Sequence, residues 1–264
     1  MVEENSYLEA ETAAMIQGTQ IYTGDIALSK PGALADGENI SVVEDTTYSC
    51  AGKLVGEGKV AVLNFANAYH PGGGVTKGAL AQEECLCRSS NLYAGLITDP
   101  MIRHYYRRNK RNAGKYGSDT VAYHPGVVVF KDDEVCAQLM DESQWFKVDV
   151  ITCAAPQIDF SNPISDEELY GIHVNRGRRI IQAAAANGVD MLVLGAFGCG
   201  AFNNDPEIVA KAYRYLLVEE GYAGLFKKIV FAIKKDHNDA KGNYHCFRKV
   251  LEGSGNESEC TFLV

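Results

Sequence analysis

Two adjacent carboxylates, Glu83 and Glu84, follow Gln82 in a triplet that a spacer of seven residues separates from three consecutive glycines, Gly72-Gly73-Gly74. Carboxyl groups give and take protons in general acid–base catalysis when their surroundings tune them to the task. A triple glycine removes every Cβ from one point of the backbone, so the chain can approach a ligand closely, at a large entropic cost. The bland alternative is a surface loop followed by two first-turn acids that complement a helix dipole. A second glycine element runs Gly195-Ala196-Phe197-Gly198-Cys199-Gly200-Ala201-Phe202-Asn203-Asn204-Asp205-Pro206. A strand, a glycine loop and a helix in that order present backbone N–H groups and a helix N-terminus to a phosphate. Neither loop is a P-loop, since Thr76-Lys77 is in reversed order, and Gly198-x-Gly200 lacks the third glycine of a dinucleotide fingerprint. Cys199 has Phe197 and Ala201 two positions to either side, so it is not a nucleophile elbow and reads as a buried thiol.

These loops need strands and helices to hold them. Val60-Ala61-Val62-Leu63 reads as a strand buried on both faces, with an amphipathic run from Cys85 to Leu96 after the carboxylates. Upstream, a short helix is expected over 9–17, strands over 19–22 and 40–44, and a helix from the caps Asp45-Thr46-Thr47 through Val55. Residues 119–130 suggest two short strands around a Pro-Gly turn, and 148–153 another buried strand ending at Pro156. Ser165-Asp166-Glu167-Glu168 opens a long helix to about Asn187, stopped by Gly188. Met191–Leu194 is a strand, and Asp205 as N-cap with Pro206 as first residue starts a helix to about Glu219. A strand over 227–233 and a helix over 243–251 complete an alternation that argues for a layered α/β domain. No repeat, low-complexity linker or domain boundary interrupts it.

At 264 residues, 46% hydrophobic and 22% charged, the chain suits one large domain. No apolar run approaches a membrane span, and the acidic start is unlike a secretory signal, so a cytoplasmic protein without membrane association is expected. The eight cysteines are scattered without zinc spacing, and Cys85 and Cys87 would point apart on a helix; no metal site is read. A net charge of −9 argues against general nucleic-acid affinity. One stretch departs from it. Arg103, Arg107, Arg108, Lys110, Arg111 and Lys115 occur with no acid between Asp99 and Asp119; without these six, 19 basic residues face 34 acidic ones. The stretch is either a solvated helix face or a patch that tracks a polyphosphate chain.

The run Asn64-Phe65-Ala66-Asn67-Ala68, Pro71-Gly72-Gly73-Gly74-Val75 and Gln82-Glu83-Glu84 resembles poly(ADP-ribose) glycohydrolases of the bacterial type, and the second glycine loop resembles that family's diphosphate-binding loop. The resemblance implies a macrodomain-like α/β fold, a central mixed β-sheet flanked by helices on both faces. The resemblance is carried by at least residues 60–93, 148–156 and 191–206 and is weakest before 40 and after 235; it implies one domain over 1–264, with about 1–40 as an accessory extension. It further implies hydrolysis of the ribose–ribose bonds of poly(ADP-ribose), from the terminus, without cofactor or metal. Glu84 is then the catalytic acid that protonates the leaving ribose oxygen and afterwards activates water, and Glu83 holds ribose hydroxyls. The implied substrate-binding residues are Asn67, Gly72, Gly73, Gly74, Val75, Gln82, Gly198, Cys199, Gly200, Ala201 and Phe202, with Phe202 beside the distal ribose. Asn67 as a turn former and Phe202 as core packing are the structural alternatives. Gly24-Asp25-Ile26 is similar to a macrodomain tripeptide whose acid meets adenine; an exposed turn acid is the alternative.

Two opposed carboxylates are usual for glycoside hydrolysis, whereas neighbours on a helix diverge by about 100° and cannot flank one bond. The helix N-terminus lowers a carboxylate pKa; burial and a substrate diphosphate raise it. The expected partners are poly(ADP-ribose) or ADP-ribosylated macromolecules and the ADP-ribose product, with no sequence-specific nucleic acid and a monomeric chain. Other readings of the same pocket are removal of single ADP-ribose groups from protein or nucleic acid, and an idle ADP-ribose-binding module.

Overall fold

The computed structural model of the chain describes residues 5–24, 26, 28, 37–133, 136–159, 163–235 and 242–253. Asp25 and Cys260 lie outside the described residues. The strands are β1 (Gln20–Tyr22), β2 (Ile40–Val43), β3 (Val60–Phe65), β4 (Val121–Val129), β5 (Phe146–Cys153), β6 (Met191–Leu194) and β7 (Lys228–Ala232). They form a mixed sheet in the order β1-β4-β5-β3-β6-β7-β2. The five strands from β5 to β2 run parallel, whereas β4 is antiparallel to both of its neighbours.

The helices are α1 (Ser6–Gly18), α2 (Thr47–Leu54), α3 (Gln82–Ser89), α4 (Leu92–Leu96), α5 (Asp99–Met101), α6 (Arg107–Arg111), α7 (Asp166–Ala186), α8 (Pro206–Arg214) and α9 (Asn243–Glu252). Strand residues alternate between two cores with the period of two that a pleated strand imposes. Ala61, Leu63, Ile151, Leu192 and Phe231 face α7, α8 and α9, while Val60, Val62, Val150, Val193 and Val230 face α1 to α4. Helices therefore cover both faces of the sheet, as a macrodomain-like arrangement requires.

Several elements end where their caps dictate. Ser165 accepts from Glu168 N at 3.2 Å and starts α7; Asp205 accepts from Glu207 N at 2.8 Å and starts α8, with Pro206 first. Beyond Arg214, α8 continues as a π turn, Tyr215–Glu219. Two expectations are corrected. Residues 121–129 form one strand rather than two, because Pro125-Gly126 makes a bulge between His124 and Val127 instead of a turn. The extra residue reverses facing: Val121 and Tyr123 pack into one core, Val127 and Val129 into the other. The cap of α2 is not local either. Thr46 makes no side-chain cap, and Asp133, far along the chain, accepts from Tyr48 N at 2.7 Å and from Thr46 Oγ1 at 2.6 Å.

The N-terminal segment adds α1, whose Leu8 and Met15 are buried, and β1, which pairs with β4 as the sheet's edge. No helix among the described residues is long and apolar enough to cross a membrane.

Candidate active site

Parallel strands deliver their following loops to one edge of the sheet, and the two glycine loops meet there, after β3 and β6. Helix α3 begins at that edge. Its first residue, Gln82, fastens it to the strand: Oε1 accepts from Phe65 N at 2.8 Å, and Nε2 donates to Leu63 O at 2.7 Å and Thr47 Oγ1 at 3.1 Å. The amide thus spends its hydrogen bonds on the scaffold and fixes where the next two residues emerge.

Those two residues turn inward under the glycine loop. Glu83 is 4% exposed and Glu84 7%, which rules out ordinary surface acids. Glu83 Oε2 accepts from Asn67 N at 2.8 Å, and Glu84 Oε1 accepts from Gly74 N at 2.8 Å. Gly72 and Gly73 have φ of 64° and 57°, the left-handed region that favours glycine. A Cβ on Gly73 would lie 2.3 Å from Glu84 Oε1 and 3.2 Å from Glu83 Oε2, so both carboxylates converge on this one residue. Val75 starts the 3₁₀ turn that ends the glycine run. Asn67 Oδ1 accepts from Tyr69 N and His70 N at 2.8 and 3.0 Å, so its carbonyl oxygen forms the turn while its own N–H serves Glu83.

Burial is the main force on Glu83 and raises its pKa to about 8, against the N–H of Asn67 and the amide of Asn64; the charge of Glu84 adds to the rise. Asn64 is wholly buried, with Nδ2 3.4 Å from Glu83 Oε1 and 3.3 Å from Thr152 Oγ1. Asn64 Oδ1 and Glu84 Oε2 are buried with no partner among the described residues. Buried polar groups ordinarily find partners, so each is a place for water or a ligand hydroxyl.

The loop after β6 is held by a residue that the sequence did not single out. Asn204 is wholly buried, and its Nδ2 faces Pro156 O at 2.7 Å and Gly198 O and Phe202 O at 3.0 Å each. That leaves Oδ1 to accept from His173 Nε2 on α7 at 2.6 Å. The network assigns the Nε2–H tautomer, and burial lowers the His173 pKa to about 4, so the ring is neutral at neutral pH. Gly198 (φ 80°) and Asn203 (φ 59°) make the tight bends around this anchor. Cys199 is 2% exposed, a buried thiol as expected. Gly200 and Ala201 are exposed and Phe202 half-buried. The N–H groups of Gly200, Ala201 and Phe202 meet no acceptor among the described residues, which leaves them available to an anion.

A cleft of about 360 Å³ opens beside this loop, lined by Phe65, Gln82, Gly198, Gly200, Ala201 and Phe202 and by apolar residues including Leu80, Leu86 and Ile233. Among the expected binding residues, the structure brings the second loop and Gln82 to the cleft. Cys199 is not among the lining residues, and neither are Asn67, Gly72, Gly73, Gly74, Val75 and the two glutamates, which gather at the start of α3. No cluster of possible metal ligands occurs among the described residues.

A sequence model of the microbial-type PARG catalytic domain matches residues 2–132. Among solved structures, the poly(ADP-ribose) glycohydrolase of Deinococcus radiodurans in complex with ADP-ribose is 36% identical, with a TM-score of 0.78 over 91% of this chain and 97% of that one. The glycohydrolase of Thermomonospora curvata is 35% identical, with a TM-score of 0.78 over 91% and 88% of the two chains. The same enzyme bound to the inhibitor ADP-HPD is 36% identical, with a TM-score of 0.76 and the same coverage. No curated protein matches.

Proposed function

This chain belongs to the microbial-type poly(ADP-ribose) glycohydrolases, and from that premise we propose that it hydrolyses the ribose–ribose bonds of poly(ADP-ribose) and releases ADP-ribose. The observation that carries the reading is the pair of buried carboxylates held by backbone N–H groups of a glycine loop, next to a cleft whose other wall offers unpaired N–H groups. A diphosphate fits the N–H groups of 200–202, and the distal ribose fits the space between Phe202 and the glycine loop. The two glutamates lie on one side of such a ribose, so they divide the work rather than flank the bond.

In this reading the Glu84 carboxyl donates a proton to the leaving ribose oxygen. The C–O bond breaks with its electron pair on that oxygen, leaving an oxocarbenium-like ribose. The Glu84 carboxylate then takes a proton from water as the water oxygen bonds to the ribose carbon, which restores the enzyme. Glu83 holds ribose hydroxyls, and its raised pKa keeps a proton beside Glu84 in the free protein. Gln82 and Asn64 position the pair.

The test is incubation with purified polymer. Wild type should release free ADP-ribose. Glu84→Gln, which keeps the shape but has no carboxylic proton, should bind ADP-ribose normally and turn over slower by roughly a hundredfold or more. A near-normal rate in the variant would place the acid elsewhere, and absence of ADP-ribose from wild type would sink the reading.

A further inference from the structure

The polymer does not end at the unit in the active site, and each further unit carries another diphosphate. We propose that the basic outer face of the helical segment 99–111 is a docking surface for this continuing anionic chain. The inference rests on the functional reading above.

The segment is α5, a π turn over Ile102–Tyr106, and α6. Its inner side is buried: Tyr105 and Tyr106 stack edge to face at 4.9 Å and share a core with Leu86 and Cys87 of α3. Leu86 and Cys87 follow the two glutamates on α3, so the buried side of the segment belongs to the core on which that helix packs. Asn109 pins its far end, accepting from Ser118 N and Oγ at 2.8 Å each.

The outer side is different. Arg103, Arg107, Arg108, Lys110 and Arg111 are all exposed. Arg103 pairs with Asp99, and Arg108 donates to Thr23 O at 3.3 Å, tying the ridge to the loop after β1. Arg107, Lys110 and Arg111 have no acid partner among the described residues. At i, i+3 and i+4 they share one face of α6. A face that merely solvates a helix in a chain of net charge −9 has no need to be so nearly single-signed. An uncompensated positive face on an otherwise acidic protein is the place where its field attracts rather than repels a polyanion. Arginine forks suit phosphate oxygens in particular. The ridge lies outside the cleft, so it acts on the chain beyond the cleaved unit and leaves the chemistry alone.

The full chain carrying Arg107→Glu, Lys110→Glu and Arg111→Glu tests this, with the triple alanine variant as a milder partner. Steady-state KM and kcat are measured on long purified poly(ADP-ribose) over a salt series, and ADP-ribose affinity by calorimetry. The charge-reversed variant should raise KM for long polymer about tenfold or more, and the alanine variant less. If the three cations each meet one phosphate, the log–log salt slope should become shallower by about 2, at roughly 0.7 per contact on a single strand. ADP-ribose affinity and kcat at saturation should be unchanged. A wild type that cleaves polymer, beside variants with unaltered KM and salt slope, overturns the docking surface while the function stands. Loss of ADP-ribose affinity in the variants also overturns it, by moving the ridge into the monomer site. A wild type that neither cleaves polymer nor binds ADP-ribose defeats the functional reading, and this inference with it.

Discussion

Glu83 and Glu84 differ by one position and by what surrounds them, and a stability measurement can separate them. Burial raises the Glu83 pKa from the ordinary glutamate range to about 8, so the folded protein holds that proton more tightly than the unfolded chain does. Stability from this proton is complete below the unfolded pKa of about 4 and is lost as pH rises through the folded value. Glu83→Gln is neutral at every pH and can still accept from Asn67 N. Its melting temperature relative to wild type should therefore climb between pH 5 and pH 9; a difference that stays flat across that range would show that Glu83 is not held protonated. At this scale the grouping of the two carboxylates with the triple glycine was legible from residue type and spacing. Asn64, His173 and Asn204 were not, because their partners, Glu83, Thr152 and the carbonyls of 156, 198 and 202, are assembled only by the fold. Gln82 was noticed, but its hydrogen bonds to β3 could not be foreseen from its place in a motif.

The elements that carry these residues were legible where their signals are local. Ser165 and Asp205 cap the helices that follow them, and the apolar runs Val60-Ala61-Val62-Leu63 and Met191–Leu194 lie in interior strands of the sheet. The bulge in β4 and the π turns escaped, since both come from packing demands on the two faces of an element. The two glycine loops also differ in a way that spacing alone concealed. Gly73 has a positive φ and touches both carboxylates, so Gly73→Val must displace the loop and disturb Glu84 whether or not ligand is present. Gly200 has an ordinary φ, faces the cleft, and a Cβ there would meet nothing within 4 Å. Gly200→Val should therefore melt within a few degrees of wild type while ADP-ribose affinity falls at least tenfold, and Gly73→Val should lose both stability and affinity. If calorimetry finds normal ADP-ribose binding by Gly200→Val, the loop after β6 does not line the ligand site.

Across the whole molecule, the sheet sets the direction in which a polymer meets the site. The loops after β3 and β6 share one edge, the cleft beside them measures about 360 Å³, and the basic ridge lies on the side of the sheet that carries α3. That volume is in the range of a site for one small ligand. A terminal unit enters with polymer continuing only from its distal ribose, whereas an internal unit would also have to lead polymer out of the cleft from its adenosine end. The expected course is thus attack at the chain terminus, one ADP-ribose at a time, with the ridge raising the local concentration of polymer. A time course on long polymer should show monomeric ADP-ribose from the first points, with few intermediate oligomers. Raising the salt should slow the reaction on long polymer through the ridge, as screening shortens the reach of exposed charges, without changing the product pattern. Oligomers accumulating early would mean that internal units enter the cleft, and terminal release would have to be abandoned while the proposed hydrolysis stands.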